Sequence, residues 1–164
     1  MGGFLKMERQ DAGKIRCLKY DEIQEYLRNR YPLLMVDYAP EVVPGKYANG
    51  IKNLTQDEWF FQCHFPGDPL VPGVLQLEAI FQTAALSIHT LPGNKEKKSY
   101  IARVKDVGYF YYIRPGEIMK IKTQLKTWKH GVGQGGGVIY VDDKIACKAK
   151  YTLVIEDDVV RKEG

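Results

Sequence analysis

His64 and Glu78 are the two side chains whose types and settings best suit proton-transfer chemistry. His64 stands in Cys63-His64-Phe65-Pro66-Gly67-Asp68-Pro69-Leu70-Val71-Pro72-Gly73, a stretch with three prolines and two glycines. Proline fixes φ and removes a backbone donor, so the stretch fits neither a regular helix nor an inner strand. It reads as a stiff loop of specific shape. Glu78 follows inside Val74 to Leu91, a run that is apolar on most faces. A carboxylate there is expensive to bury without a partner, and desolvation favours the neutral acid, able to donate a proton. Imidazole is the usual general base near neutrality. The two together form a natural acid/base pair. On the residues alone an ordinary reading stays open: a hydrogen-bonded core histidine and a glutamate on a polar stripe. Gly73 and Val74 add a third component. At a helix start their N–H groups have no intrahelical partner and lie at the positive end of the dipole. Such donors polarise a carbonyl and stabilise a developing enolate. The alternative is that Pro72 is simply a good first-turn residue and Gly73 allows close packing.

The elements that would hold these groups follow from pattern. A helix that is hydrophobic nearly all round is a buried helix. At about 18 residues and 1.5 Å each, Val74 to Leu91 would run about 27 Å, and Pro92-Gly93 ends it. Upstream, Asp21 is placed to cap a short helix carrying Ile23, Tyr26 and Leu27, stopped by Tyr31-Pro32. Leu33 to Tyr38 reads as an apolar strand, Pro44-Gly45-Lys46 as a turn and Tyr47 to Leu54 as a strand. Downstream, Tyr100 to Val107, Gly108 to Ile113, Ile118 to Trp128, Gly137 to Val141 and Ile145 to Ile155 are β-rich, with turns at Pro115-Gly116 and Asp142-Asp143. The expected architecture is α+β, one buried helix against a largely antiparallel sheet. Residues 1–19 read as a flexible lead-in, 20–156 as a single domain and 157–164 as a charged tail.

Composition narrows the function classes. The chain has 164 residues, 45% hydrophobic and 27% charged, an ordinary globular balance that excludes a disordered tail or a coiled-coil rod. No apolar run reaches the ~20 residues needed to span a bilayer. The first 19 residues lack the apolar core of a secretory signal, so a cytoplasmic location is expected. Cys17, Cys63 and Cys147 form no CxxC pair and are expected as free thiols. A net charge of +4 is mild: it suits an acidic partner but falls short of a dedicated nucleic-acid binder. Gly131-Val132-Gly133-Gln134-Gly135-Gly136 matches GxGxxG, but no helix follows it, so it reads as a glycine-rich hairpin loop. His89 and His130 have no metal-like partners at usable spacing.

Several segments resemble one family: Asn29-Arg30-Tyr31-Pro32-Leu33-Leu34-Met35-Val36-Asp37, Lys52-Asn53-Leu54-Thr55, Glu58-Trp59-Phe60-Phe61, His64 through Leu75, and Glu78-Ala79. Together they are similar to the β-hydroxyacyl-acyl carrier protein dehydratases of type II fatty acid synthesis, the FabZ-like branch, over roughly residues 20–155. The resemblance implies a hot-dog fold, a long central helix wrapped by a highly curved antiparallel sheet. It implies a lyase that converts a (3R)-hydroxyacyl chain on acyl carrier protein to the trans-2-enoyl thioester, in fatty acid or related lipid or polyketide synthesis. It implies a homodimer whose sites take His64 from one chain and Glu78 from the other, with trimers of dimers common among relatives. It implies no metal or organic cofactor, no nucleic acid and no membrane insertion. Glu rather than Asp at position 78 favours this branch over the related dehydratase–isomerases.

In the implied mechanism the Gly73 or Val74 amide holds the thioester carbonyl, His64 removes the C2 proton and protonated Glu78 donates to the departing 3-hydroxyl. Phe65, Ile80, Phe81 and Tyr100 are candidates for the acyl tunnel, with plain core packing as the alternative for each. The chain also departs from the family. Cys63 replaces the usual glycine before the histidine, either reshaping the loop or packing as a small apolar group. Leu27-Arg28-Asn29 replaces Leu-Pro-His. Gly108-Tyr109-Phe110-Tyr111-Tyr112 replaces a basic stretch whose arginines often dock the acidic carrier; Arg103, Lys105, Arg114, Lys120 and Lys122 are the candidates to compensate. Two other readings compete: a hot-dog acyl thioesterase, and a non-catalytic acyl-binding homologue.

Overall fold

The computed structural model describes residues 14–95 and 97–156. Strand β1 (Arg16–Leu18), helix α1 (Tyr20–Tyr26), strands β2 (Tyr38–Val43) and β3 (Tyr47–Asn53), and a 3₁₀ turn (Trp59–Gln62) lead into helix α2 (Gly73–His89). Strands β4 (Lys98–Tyr109), β5 (Ile118–Lys129), β6 (Val132–Val141) and β7 (Lys144–Glu156) follow. All seven strands join one antiparallel sheet in the order β1-β2-β3-β5-β6-β7-β4. The sheet curves round α2. Strict alternation sets its two faces apart: Met119, Ile121, Thr123 and Leu125 of β5 are buried while Lys120, Lys122, Gln124 and Lys126 are exposed. One face therefore meets the helix and the other meets solvent. From Ala79 to His89 every residue of α2 is buried, as its apolar character dictates. β4 is different. It lies at the sheet edge and exposes Tyr100, Ile101, Val104 and Val107.

The expected elements hold, with corrections. Asp21 lies in the first turn of α1 rather than capping it; Glu22 Oε2 accepts the Lys19 N–H instead, at 2.8 Å. The helix ends at Tyr26, before the cis Tyr31–Pro32 peptide. Leu33 to Asp37 is not a strand, and Tyr38 instead opens β2. Leu34, Met35 and Val36 are buried, but the Leu33 and Leu34 amides donate to Arg30 O and the Met35 amide donates to Gln82 Oε1 at 2.7 Å. A buried segment needs its donors satisfied, and here a turn and a side chain satisfy them rather than a ladder. β4 runs unbroken through Gly108 past a bulge at Asp106, and residues 110–113 leave the sheet. The glycine run is mostly strand, not loop: only His130 and Gly131 turn, both at positive φ. Gly133 and Gly137 face inward, against Ile88 and Ile80 of α2. Glycine inside a strand here marks close approach of the helix, not a break. Finally, β1 forms within the segment read as lead-in; residues 1–13 and the 157–164 tail lie outside the described residues.

The three thiols are free, Cys17 and Cys63 exposed and Cys147 buried. Burial pushes the Cys147 thiol up to about 11. The thiolate is the nucleophile, so at pH 8 Cys17 and Cys63 react with a disulfide reagent while Cys147 reacts only after unfolding. Thiol titration with and without denaturant gives two and then three equivalents.

Candidate active site

The loop carrying His64 is anchored from below. Lys52 of β3 is buried, and its ammonium bonds Glu58 at the start of the 3₁₀ turn and Asp37 at 3.2 Å. Burial pulls the Lys52 pKa down, but Glu58 and Asp37 outweigh it and the net shift is upward, so the lysine stays charged. The turn then buries Phe60 and Phe61 and delivers His64, whose amide donates to Phe60 O at 2.8 Å. The loop closes on itself. Phe65 and Asp68 exchange backbone bonds, the Leu70 amide donates to His64 O, and the Val71 amide donates to Ile113 O. The His64–Phe65 peptide is cis. His64 Nδ1 lies 3.0 Å from Leu70 O. A carbonyl only accepts, so Nδ1 carries the hydrogen, and in the neutral ring Nε2 keeps the lone pair. That is the tautomer a general base needs.

His64, Phe65, Gly73, Gln76, Tyr109 and Phe110 line a cavity of about 450 Å³. Gly73 opens α2 behind the Pro72 cap, so its N–H is a first-turn donor. A Cβ at Gly73 would stand 2.9 Å from the Tyr109 ring, so the close packing of that ring calls for glycine. Val74 is 71% exposed and does not line this cavity, which leaves Gly73 as the carbonyl-binding candidate beside His64. Gln76 is 4% exposed; its Nε2 donates to Val71 O at 3.3 Å and its Oε1 has no partner.

Glu78 lines a second cavity, of about 250 Å³, with Asn29, Phe81, Gln82, Ser99 and Tyr100. Its surroundings are less apolar than the helix sequence suggests. Glu78 is half-buried, and Oε1 accepts from Asn29 Nδ2 at 3.2 Å and Gln82 Nε2 at 2.7 Å. Gln82 is itself fixed: its Oε1 takes the Met35 amide and its Nε2 also donates to Leu33 O at 2.8 Å. Both donors converge on Oε1, so a proton on this carboxyl resides on Oε2, the open oxygen.

The predicted site residues thus divide. His64, Phe65 and Gly73 share one cavity; Glu78, Phe81 and Tyr100 share the other. Ile80 lines neither: it is fully buried beneath Gly137 and is core. At about 100° per residue, Glu78 lies roughly 140° round the helix from Gly73 and about 200° from Gln76. The helix itself stands between acid and base within one chain. Sequence reasoning missed Asn29, Gln76 and Gln82 as site partners. It also missed two cations beside the first cavity: Lys148 sits 5.0 Å over the Phe110 ring and Lys144 4.7 Å over the Tyr111 ring. Of the cations it did name, Arg114 pairs with Asp68 at 2.7 Å, Arg103 and Lys105 line one cleft on the outer sheet face, Lys122 lines another, and Lys120 is exposed. Cys63 is exposed with φ −121°, an ordinary conformation, and its thiol leans toward Phe60 O at 3.5 Å rather than packing in the core. His89 is buried, with burial lowering its pKa and Nδ1 against Asn94 O at 3.0 Å. No group of three His, Cys, Asp or Glu able to hold a metal occurs among the described residues.

A long buried helix under one curved antiparallel sheet, with a histidine loop feeding the helix start, is the hot-dog class. Within it, this chain belongs to the FabA-like domain family, whose model matches residues 27–150. The chain is 39% identical over 135 residues to the 3-hydroxyacyl-[acyl-carrier-protein] dehydratase FabZ of Natranaerobius thermophilus, covering 82% of this chain and 95% of that one. It is 39% identical over 139 residues to the FabZ of Latilactobacillus sakei, covering 85% and 99%. Among solved structures, the dehydratase heterocomplex ApeI:P from Xenorhabdus doucetiae superposes with TM-score 0.71 at 14% identity, over 83% of this chain and 91% of that one. Cj0977, a virulence protein from Campylobacter jejuni, superposes with TM-score 0.67 at 15% identity, over 87% and 94%. At such identities the structures show the fold. No helix among the described residues is long and apolar enough to cross a membrane.

Proposed function

We propose that this protein is a lyase that dehydrates (3R)-hydroxyacyl thioesters on acyl carrier protein to trans-2-enoyl thioesters in fatty acid biosynthesis. The observation that carries the reading is His64, oriented through Nδ1 and Leu70 O, in one cavity with the first-turn amide of Gly73. The Gly73 N–H binds the thioester carbonyl and makes the C2 proton more acidic. His64 Nε2 removes that proton. The C2–H electron pair becomes the C2–C3 double bond, the C3–O bond breaks, and Glu78 Oε2 protonates the oxygen, which leaves as water. Return of the proton from imidazolium to carboxylate resets the pair. Each proton transfer contributes about 10²–10⁴-fold. The elimination as written calls for no metal or organic cofactor.

C2 and C3 are bonded neighbours, so base and acid must meet on one substrate. The helix blocks that within a chain, which supports a homodimer with His64 of one protomer facing Glu78 of its partner. β4 supports the same reading: a long edge strand exposing Tyr100, Ile101, Val104 and Val107 is a surface that needs covering. Its Ser99, Tyr100 and Ile101 also border the Glu78 cavity, so a copy paired there brings its own residues to the acid. Assembly of three such dimers, and a cytoplasmic location, belong to the proposal. For the carrier, Lys144 and Lys148 over the aromatic wall supply positive charge where the family's basic stretch is replaced by tyrosines.

The test is hydration–dehydration turnover with crotonyl and 3-hydroxybutyryl thioesters, on acyl carrier protein and on coenzyme A, for wild type and Glu78→Ala. Wild-type turnover that vanishes in the variant is the expected result. Release of free thiol alone would make the protein a thioesterase. Binding without turnover would make it an acyl-binding homologue. In the same assay Gly73→Ala lowers kcat/KM about 10²-fold, because its Cβ pushes Tyr109 into the cavity and displaces the substrate. Adding Tyr109→Leu to that variant restores part of the loss.

A further inference from the structure

The outer face of the sheet carries a basic trough that the mechanism does not use. Two adjoining clefts, of about 680 and 570 Å³, are lined from strands β4, β5, β6 and β7 and share Lys126 and Lys150. Their cations are Arg103, Lys105, Lys122, Lys126, Lys148 and Lys150, all exposed, and Asp106 is their one carboxylate. This face is more positive than the +4 of the whole chain. Asp106 pairs with Lys150 at 2.6 Å, and Lys150, helped by Lys105 and Lys148, holds its carboxyl below the usual range. The other five cations have no carboxylate partner among the described residues. Gly136 lies in the floor, between Gln124 of β5 and Lys150 of β7. A Cβ there would meet nothing nearer than Ala149 O at 3.4 Å, so packing does not require the glycine; what it provides is the opening. We propose that this trough seats the acidic face of the acyl carrier protein, with the phosphopantetheine arm reaching the His64 cavity over Phe110.

Continuity with the cavity selects this partner. The Phe110 ring packs where a Cβ of Gly108 would be, 2.5 Å away, and it also lines the His64 cavity. Lys148 faces Gly108 in register and sits 5.0 Å over that ring while lining the trough. One aromatic wall therefore separates the trough from the cavity, and the trough starts at the cavity's edge. Lys150 follows Lys148 two residues along β7, about 7 Å further from the wall. The cations thus lie next to the tyrosine-rich segment that replaces the family's basic stretch. Unpaired charges of one sign gathered on one face repel each other, and they attract and orient a partner of opposite sign. A nucleic acid would gain nothing from the adjoining thioester cavity, whereas the carrier must reach it. Pairing of two copies along β4 uses the edge of that strand and leaves the outer face open.

The inference rests on the dehydratase reading, and its test separates the two. Wild type, the double variant Lys122→Glu with Lys126→Glu, and Gly136→Leu are compared on 3-hydroxybutyryl acyl carrier protein and on the N-acetylcysteamine ester of the same acid. The double variant should lose about 10–100-fold in kcat/KM on the carrier, mainly through KM. Gly136→Leu, which fills the floor without changing charge, should lose about 3–10-fold on the carrier. Both variants should stay within about twofold of wild type on the small ester, which also shows that fold and site are intact. Raising salt should slow wild type on the carrier and leave the small ester unaffected. Equal losses on both substrates would mean that the trough only supports the fold, and would overturn the inference. Unchanged carrier turnover in both variants would overturn it alone, and so would a loss confined to the double variant, which is attraction without seating. Tighter binding of a short DNA duplex than of the carrier, lost in the double variant, would make the trough a nucleic-acid surface and overturn it. Wild-type protein that turns over neither ester would overturn the dehydratase reading and this inference with it.

Discussion

His64→Ala lowers kcat for dehydration of a 3-hydroxybutyryl thioester by about 10²–10⁴-fold, while its far-ultraviolet circular dichroism and affinity for a butyryl thioester stay near wild type. The size follows from what is removed. Nε2 is the bare nitrogen of a ring already oriented through Nδ1 and Leu70 O. Alanine leaves no base in reach, and water in its place is neither oriented nor basic enough. The fold survives because the loop's own bonds, Phe65 with Asp68 and Leu70 with His64 O, are made by the backbone and do not involve the ring. A variant that keeps Nδ1 chemistry without Nε2 basicity is the stricter control. His64→Asn places an amide in the loop but no base, and should be as slow as alanine.

Glu78→Gln gives the second large effect, again about 10²–10⁴-fold on dehydration, and it separates the acid from the base. Glutamine has the same shape but cannot protonate a leaving hydroxyl. Chloride leaves without a proton. On a 3-chlorobutyryl thioester, elimination of HCl by Glu78→Gln should therefore stay within about tenfold of wild type, whereas His64→Ala should remain slow. Steady-state rates on the two substrates check this. Equal loss on both would mean that Glu78 orders the cleft and does not act as the acid. Asn29→Ala makes a milder companion: one of two donors to Oε1 goes, and Gln82 still holds it.

Much of this was legible in the sequence, for identifiable reasons. Prolines 66, 69 and 72 constrain the backbone directly, so the loop could be read before any fold was known. An apolar run as long as α2 has one home in a chain this small, the centre. The alternation from Met119 to Leu125 in β5 and from Cys147 to Leu153 in β7 is strict enough to show a sheet with one wet face. What was not legible depended on distant partners. Asn29 and Glu78 are 49 residues apart, as are Gln82 and Leu33, and nothing local in either segment reports those bonds. The glycines of β6 read as breakers because their packing partners, Ile80 and Ile88, lie on another element. Ile80 read as a tunnel candidate for the same reason: helix phase alone does not say which apolar face meets the sheet and which meets a cavity. That His64 and Glu78 occupy opposite sides of α2 was within reach of the sequence. The phase difference between positions 73 and 78 gives it, once the loop is known to fold back beside the helix start.

An acid and a base brought together from two chains can be recombined from two inactive variants. His64→Ala and Glu78→Ala proteins are mixed, unfolded and refolded together, and assayed for dehydration. Random assortment makes half the dimers mixed, each with one intact site and one doubly impaired site, so about a quarter of wild-type activity should return. Activity no greater than the mean of the two variants refolded separately, in a sample shown to contain mixed dimers, would contradict it.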